Sequence, residues 1–132
     1  MQIDMLDIRI ARYFWSRAIG LLGTRSLSDR QGLLIVPCNS VHTFFMLFAI
    51  DVVFIDRAGK ISRIVEQMRP WRFAGAKAHS CLELNAGNAA RLGLQVGQCL
   101  SQLAHPVSEK IIRLDLAMLA TLPGISSHRH DN

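Results

Sequence analysis

The chain has 132 residues, half of them hydrophobic and 19% charged; it can bury the core of one ordinary domain, and its composition excludes a disordered polypeptide. A net charge of +5 favours anionic partners by long-range attraction. The basic residues are scattered and no run of five like charges occurs, so charge alone does not specify nucleic acid.

In chain order, residues 5–12 (MLDIRIAR) alternate apolar and polar side chains, with Leu6, Ile8 and Ile10 on one face. That period of two predicts a half-buried strand. Trp15, Ile19 and Leu22 then recur at helical spacing and Gly23 supplies a stop, predicting a short helix. LLIVP is an apolar strand ended by Pro37. Residues 40–47 and 50–56 read as two more strands, DRAG at 56–59 as a hairpin turn, and KISRIVEQM as a further strand rich in β-branched residues. Residues 69–79 (RPWRFAGAKAH) have no period and read as a loop. SCLELNA is a strand, GNAARLG a short helix closed by Gly93, and GQCLSQL the last strand of the core.

These elements predict a mainly β (β-rich α+β) domain over residues 1–104, a compact antiparallel sandwich or barrel with two short helices. Residues 105–132 read as a C-terminal extension. Within it, Ile111, Leu114, Met118 and Leu122 fall on one stripe between Pro106 and Pro123-Gly124. A helix over 107–122 is expected, followed by a frayed tail. An apolar face that broad suits docking against a protein partner.

The longest apolar run, 44–50, is closed by Asp51 and is far too short to span a bilayer. The first twenty residues hold no basic start followed by an uninterrupted apolar run. A soluble cytoplasmic protein is expected, with Cys38, Cys81 and Cys99 as reduced thiols.

The segments SVHTFFMLFAIDVVFIDRAGKI and CLELNAGNAARLGLQVGQ, with RAIGLLGTRSLSDRQGLLIVP upstream, resemble the domain of unknown function 192 family, a group of small bacterial and archaeal proteins. The resemblance runs from about residue 8 to 103. It implies a compact β sandwich and no established activity; some members are similar to accessory proteins found beside pilus or secretion genes. The chain departs from the family pattern where Leu47 and Ala49 replace an Arg and a Pro, and where Gln98 replaces an Asp.

Three groups of residues could carry chemistry. In HSCLELN, strand alternation places His79, Cys81, Glu83 and Asn85 on one face and Leu82 and Leu84 on the other. Such a face ordinarily meets solvent; alternatively it joins His42, which shares a face with Phe44 and Met46, in one polar pocket. Asp51 interrupts FAIDVVFI, where a carboxylate needs donors; fastening a strand through backbone N–H groups competes with a general-base role. His42, Asp51 and Glu83 are thus the candidate catalytic residues of a hydrolytic or metal-dependent enzyme. Arg69, Arg72 and Lys77, interleaved with Trp71 and Phe73, form the best candidate for an anionic ligand or nucleic acid, while His79, Cys81 and Asn85 are further ligand candidates.

Cys38 with His42, and His79 with Cys81, make two Cys/His pairs that zinc would accept. Their spacing matches neither CxxC nor HExxH, so no metal and no cofactor is assigned. There is no phosphate loop, nucleophile elbow or dinucleotide fingerprint. The favoured reading is a binding or accessory module for a protein partner or a small anionic or carbohydrate ligand.

Overall fold

In the computed structural model, the described residues are 5–11, 28–44, 46–103 and 111–115. The strands are β1 (Met5–Ala11), β2 (Gln31–Ile35), β3 (Ser40–His42), β4 (Ile50–Ile55), β5 (Ile61–Met68), β6 (Phe73–Gly75), β7 (Ser80–Asn85) and β8 (Ile111–Asp115). A four-residue helix, α1 (Asn88–Arg91), and a 3-10 turn over Ser101–Leu103 complete them. Six strands form one sheet in the order β5-β4-β7-β2-β1-β8, and β3 and β6 form a second, two-stranded sheet.

The fold is strand-rich, as expected, but the large sheet is mixed: β1 and β2 run parallel, which requires a crossover connection between them. No closed barrel forms, because β5 and β8 remain edges. The hairpin at 56–59 is made by Asp56, whose Oδ1 accepts from the N–H groups of Ala58 and Lys60, both at 2.9 Å. Gly59 takes the positive φ of 84° that closes it.

Side-chain alternation sorts the core into two layers. On one face of the large sheet, Leu6, Ile8, Leu34, Val53, Ile55, Leu82 and Leu84 pack with Leu94, Leu100 and Leu103 from the segment after α1. On the other, Leu33, Ile35, Val52, Phe54 and Cys81 are covered by Val41 of β3, Ala74 of β6, Met46 and Met68. β4 and β7 are therefore buried on both faces. Cys81 and Glu83 do alternate with Leu82 and Leu84, but they face the small sheet, not solvent. The one-face-wet default fails here because β7 is a central strand with a second layer over it.

Four local expectations are corrected. Residues 111–115 pair antiparallel with β1, from Met5↔Asp115 to Arg9↔Ile111, so the helix expected over 107–122 is replaced there by a strand that joins the large sheet; the rest of that range lies outside the described residues. Ile111, Ile112 and Leu114 satisfy a helical stripe and a strand equally well, and pairing with the open side of β1 decides between them. The strand expected over 40–47 is cut to Ser40–His42 by a turn in which Met46 N–H donates to the Thr43 carbonyl at 3.2 Å. GQCLSQL contributes only an isolated bridge, Lys60↔Cys99, before the 3-10 turn. The 69–79 loop contains β6, three residues long and too short to show a period. The helix expected around Trp15 and Leu22 lies outside the described residues. Among the described residues, no helix is long and apolar enough to cross a membrane.

Candidate functional site

The three candidate catalytic residues do not converge. Asp51 and Glu83 lie on the paired strands β4 and β7, but Asp51 is opposite Leu84 while Glu83 is opposite Val52. Their side chains leave opposite faces of the sheet. His42 is exposed at the end of β3, and its ring lies 4.9 Å, centroid to centroid, from that of Phe44.

Asp51 is fully buried and both of its carboxyl oxygens are engaged: Oδ1 accepts from Gln67 N–H and Oδ2 from Ala89 N–H, each at 2.8 Å. It joins the end of β5, where Gln67 adopts a φ of 51°, to the start of α1. With each oxygen held by a backbone donor and the side chain fully buried, this carboxyl fastens two backbone segments and is not presented to solvent.

Asn85 holds the other end of β7: its Nδ2 donates to Asp29 Oδ1 at 2.7 Å. Arg91 also reaches Asp29, at 2.8 Å. The Asn85 hydrogen bond, aided by the Arg91 charge, holds the Asp29 carboxyl below its ordinary range. His79 is half-buried just before β7, and Lys77 is exposed between β6 and β7. The ligand candidates of HSCLELN are thus spread along a buried strand.

What does come together is a ledge built by Thr43, a residue the sequence reading passed over. Thr43 is fully buried. Its hydroxyl donates to the Arg69 carbonyl at 2.6 Å and accepts from Arg72 N–H at 2.9 Å. Its backbone N–H donates to the Arg72 carbonyl at 2.9 Å, and its carbonyl accepts from Trp71 N–H at 3.0 Å. These four bonds bind residues 69–72 to the end of β3. They also hold Trp71 at a φ of 64°, a conformation bulky side chains rarely adopt unless the surroundings impose it.

The result is an aromatic file on the surface: His42 against Phe44, and Phe44 stacked on Trp71 at 5.8 Å with 25° between planes. Trp71 is 56% exposed, Phe73 69% and Leu47 73%. Beside this file lies an open hollow of about 440 Å³, lined on its polar side by Arg63, Glu66, Gln67, Arg69 and Arg72, with Phe73 at its rim. Three arginines against one glutamate leave it positive. Arg63 Nη1 donates to the Gly75 carbonyl at 2.6 Å, which anchors that guanidinium to β6. The arrangement offers ring faces for stacking beside guanidinium groups that recognise carboxylate or phosphate.

Among the described residues no group of three His, Cys, Asp or Glu is placed to hold a metal ion. Cys38 instead meets Cys81, with the sulfurs 2.8 Å apart. Burial of Glu83 in the layer between the sheets, with a smaller contribution from Cys38, pushes its carboxyl up to about 8. Hydrogen bonding to Cys38 and burial also push the Cys81 thiol upward. Sequence spacing gave no signal for Thr43, except that a Thr between His and Phe at a strand end is a residue type that bonds nearby backbone.

Among curated proteins, the chain is 32% identical to a UPF0127 protein of Thermococcus sibiricus over 68% of its own length and 62% of that protein's. It is 35% identical to a UPF0127 protein of Pyrococcus horikoshii over 56% of its own length and 66% of the relative's; it therefore spans a little under two thirds of each. Two crystal structures share its fold. One is a protein of unknown function from Novosphingobium aromaticivorans, with 24% identity, a TM-score of 0.61, and 68% and 70% of the two chains covered. The other is a Sinorhizobium meliloti protein proposed as a transcription regulator, with 26% identity, a TM-score of 0.65, and 70% and 78% covered. Residues 1–102 match the sequence model of domain of unknown function 192, described as an uncharacterised ACR, and the chain belongs to that family, whose function is uncharacterised.

Proposed function

We propose that this protein is a binding module, not a hydrolase, and that its ligand is a small ring-bearing anion such as an acidic sugar or a nucleotide. The observation that carries the reading is the Thr43-pinned ledge, which sets exposed rings of Trp71 and Phe73 beside Arg69 and Arg72. The ring of the ligand stacks on an aromatic face and its acidic group enters the arginine-lined hollow. Preorganisation supports this: a loop already fixed by four hydrogen bonds loses little further freedom on binding. The placement of Asp51 and Glu83 on opposite faces of the large sheet supports a binding role over a hydrolytic one.

Nucleic acid is a second reading, supported by the proposed role of the Sinorhizobium meliloti neighbour and by the mixture of rings and arginines on the ledge. It differs from the first in salt dependence, because binding to a phosphate polymer weakens steeply as counterions compete.

The test is Trp71 fluorescence in a Trp15→Phe background, titrated with acidic and neutral oligosaccharides, nucleotides and a short single-stranded RNA. Saturable quenching by an acidic sugar or nucleotide, lost in Arg69→Ala/Arg72→Ala, is the expected result. Quenching by RNA alone, abolished between 50 and 200 mM salt, would favour the nucleic-acid reading. No response to any of these probes would contradict both.

A further inference from the structure

Cys38 and Cys81 stand 43 residues apart in the chain, yet their sulfurs are 2.8 Å apart. Both positions are fixed by the fold. Cys81 lies in β7 between Ile35 of β2 and Phe54 of β4. Cys38 follows β2, where its N–H donates to the His79 carbonyl at 2.9 Å and its thiol to the Ser40 carbonyl at 3.1 Å. The pair is asymmetric: Cys38 is half-buried and Cys81 is sealed beneath the small sheet.

Glu83 follows two residues along β7 on the same face, 5% exposed. Its neighbours across the sheet are Leu33 and Val52, and among the described residues nothing donates a hydrogen bond to it. The layer around it is contributed by Ile35, Val41, Met46, Phe54, Met68 and Ala74, none of which titrates. Cys38 is the titratable group that acts on it, and Glu83 in turn acts on Cys81. A carboxyl in such a layer costs stability, and a residue that breaks a packing rule without local compensation marks a functional position. The group matches what a buried thiol needs in order to react, because the thiolate and not the thiol is the nucleophile, and a buried thiol must hand its proton to a base.

We infer that Cys38 and Cys81 form a redox dithiol site that exchanges with low-molecular-weight disulfides, with Glu83 accepting the proton of the buried thiol. Cys38 loses its proton to solvent and its thiolate attacks one sulfur of the external disulfide. That S–S bond breaks, a mixed disulfide forms on Cys38, and the first external thiolate leaves and is protonated by solvent. In the molecules whose Glu83 is ionised, a minority at neutral pH that grows as pH rises toward 8, the Cys81 proton then passes to the Glu83 carboxylate, and the Cys81 thiolate attacks the Cys38 sulfur. The bond from Cys38 to the external sulfur breaks, and the second external thiolate leaves with a proton that Glu83 returns. Two protein thiols are oxidised to one disulfide and one external disulfide is reduced to two thiols. The reverse sequence reduces the site.

The experiment equilibrates the full chain with graded ratios of reduced and oxidised glutathione, quenches in acid, alkylates after unfolding, and identifies the modified cysteines by mass spectrometry. A cooperative loss of alkylation at Cys38 and Cys81 together is expected, with a Cys38–Cys81 crosslinked peptide and with Cys99 still alkylated. Cys38→Ser or Cys81→Ala removes the crosslink. Glu83→Gln keeps the crosslink but slows closure of the mixed disulfide by about a hundredfold or more, the usual range for a lost general base, and moves the rate profile to higher pH. Alkylation of both cysteines at every ratio, or crosslinks that involve Cys99 instead, would overturn the dithiol. A Glu83→Gln profile that superimposes on the wild type would overturn the role given to Glu83.

Discussion

Asp51 and Glu83 occupy hydrogen-bonded neighbouring strands and point to opposite faces of the sheet, Asp51 into backbone donors and Glu83 into an apolar layer. Two buried carboxyls that look alike in the sequence therefore have opposite energetics, and substituting each should change stability in a different direction.

Asp51→Asn keeps one acceptor but turns an amide group toward a backbone N–H. It should destabilise the fold by about 1–3 kcal/mol, the usual consequence of leaving a buried backbone N–H without its acceptor. The urea midpoint at pH 7 measures it. A change below about 0.5 kcal/mol would mean that the link from β4 to Gln67 and Ala89 is not stabilising.

Glu83 carries a raised carboxyl, about 8 in the fold against an ordinary 4.5. Between those values the folded chain holds a proton that the unfolded chain has released. Stability is then fullest below about 4.5, falls as pH rises toward 8, and levels off above it. The contribution has a slope of at most about 1.4 kcal/mol per pH unit. Glu83→Gln should flatten the stability profile across that window and raise stability at pH 8. Parallel profiles for the two proteins, from urea titrations at several pH values, would contradict the assignment.

Thr43→Val removes a hydroxyl that donates to Arg69 and accepts from Arg72. A loss of about 1–3 kcal/mol is expected for those unmet backbone groups, together with loosening of residues 69–72. Faster hydrogen exchange at Trp71 and Arg72, with β4 and β7 still protected, is the signature. Uniform exchange changes across the sheet would indicate that Thr43 serves the core and not the ledge.

Trp71 and Phe73 project from the fold, so Trp71→Ala should leave the thermal midpoint nearly unchanged, with a shift of under about 0.5 kcal/mol as for surface positions generally. The same substitution should abolish the response to any ligand bound on the ledge. A strongly destabilised variant would assign the ring to packing.

Alternation made β1 and β7 legible, short apolar runs bounded by Pro37 and Asp56 made β2 and β4 legible, and the Asp56–Gly59 turn made the β4–β5 hairpin legible, because these elements show a pattern or carry their own turn chemistry. β3 is expected as part of a longer strand, but β6 has three residues, too few to show a period, so the small second layer they form together is not visible in the sequence. That omission hid the burial of Cys81 and Glu83. The ledge was half visible: the mixture of Arg69, Trp71, Arg72 and Phe73 marked a binding loop, but His42 and Phe44 join it only through Thr43, and hydrogen bonds between residues 26 to 29 apart leave no local trace. The meeting of Cys38 with Cys81 follows from the β2–β7 register, which spacing alone does not supply. Ile111 and Leu114 fit two periods at once, and only pairing with β1 separates them.

Amide chemical-shift mapping of the full chain with acidic sugars and nucleotides tests the binding reading most directly. Shifts confined to residues 42–47 and 69–73, and lost in Thr43→Val, are predicted. Shifts clustered at Asp51 and 79–85 with the ledge silent would contradict it and return the site to the buried strands.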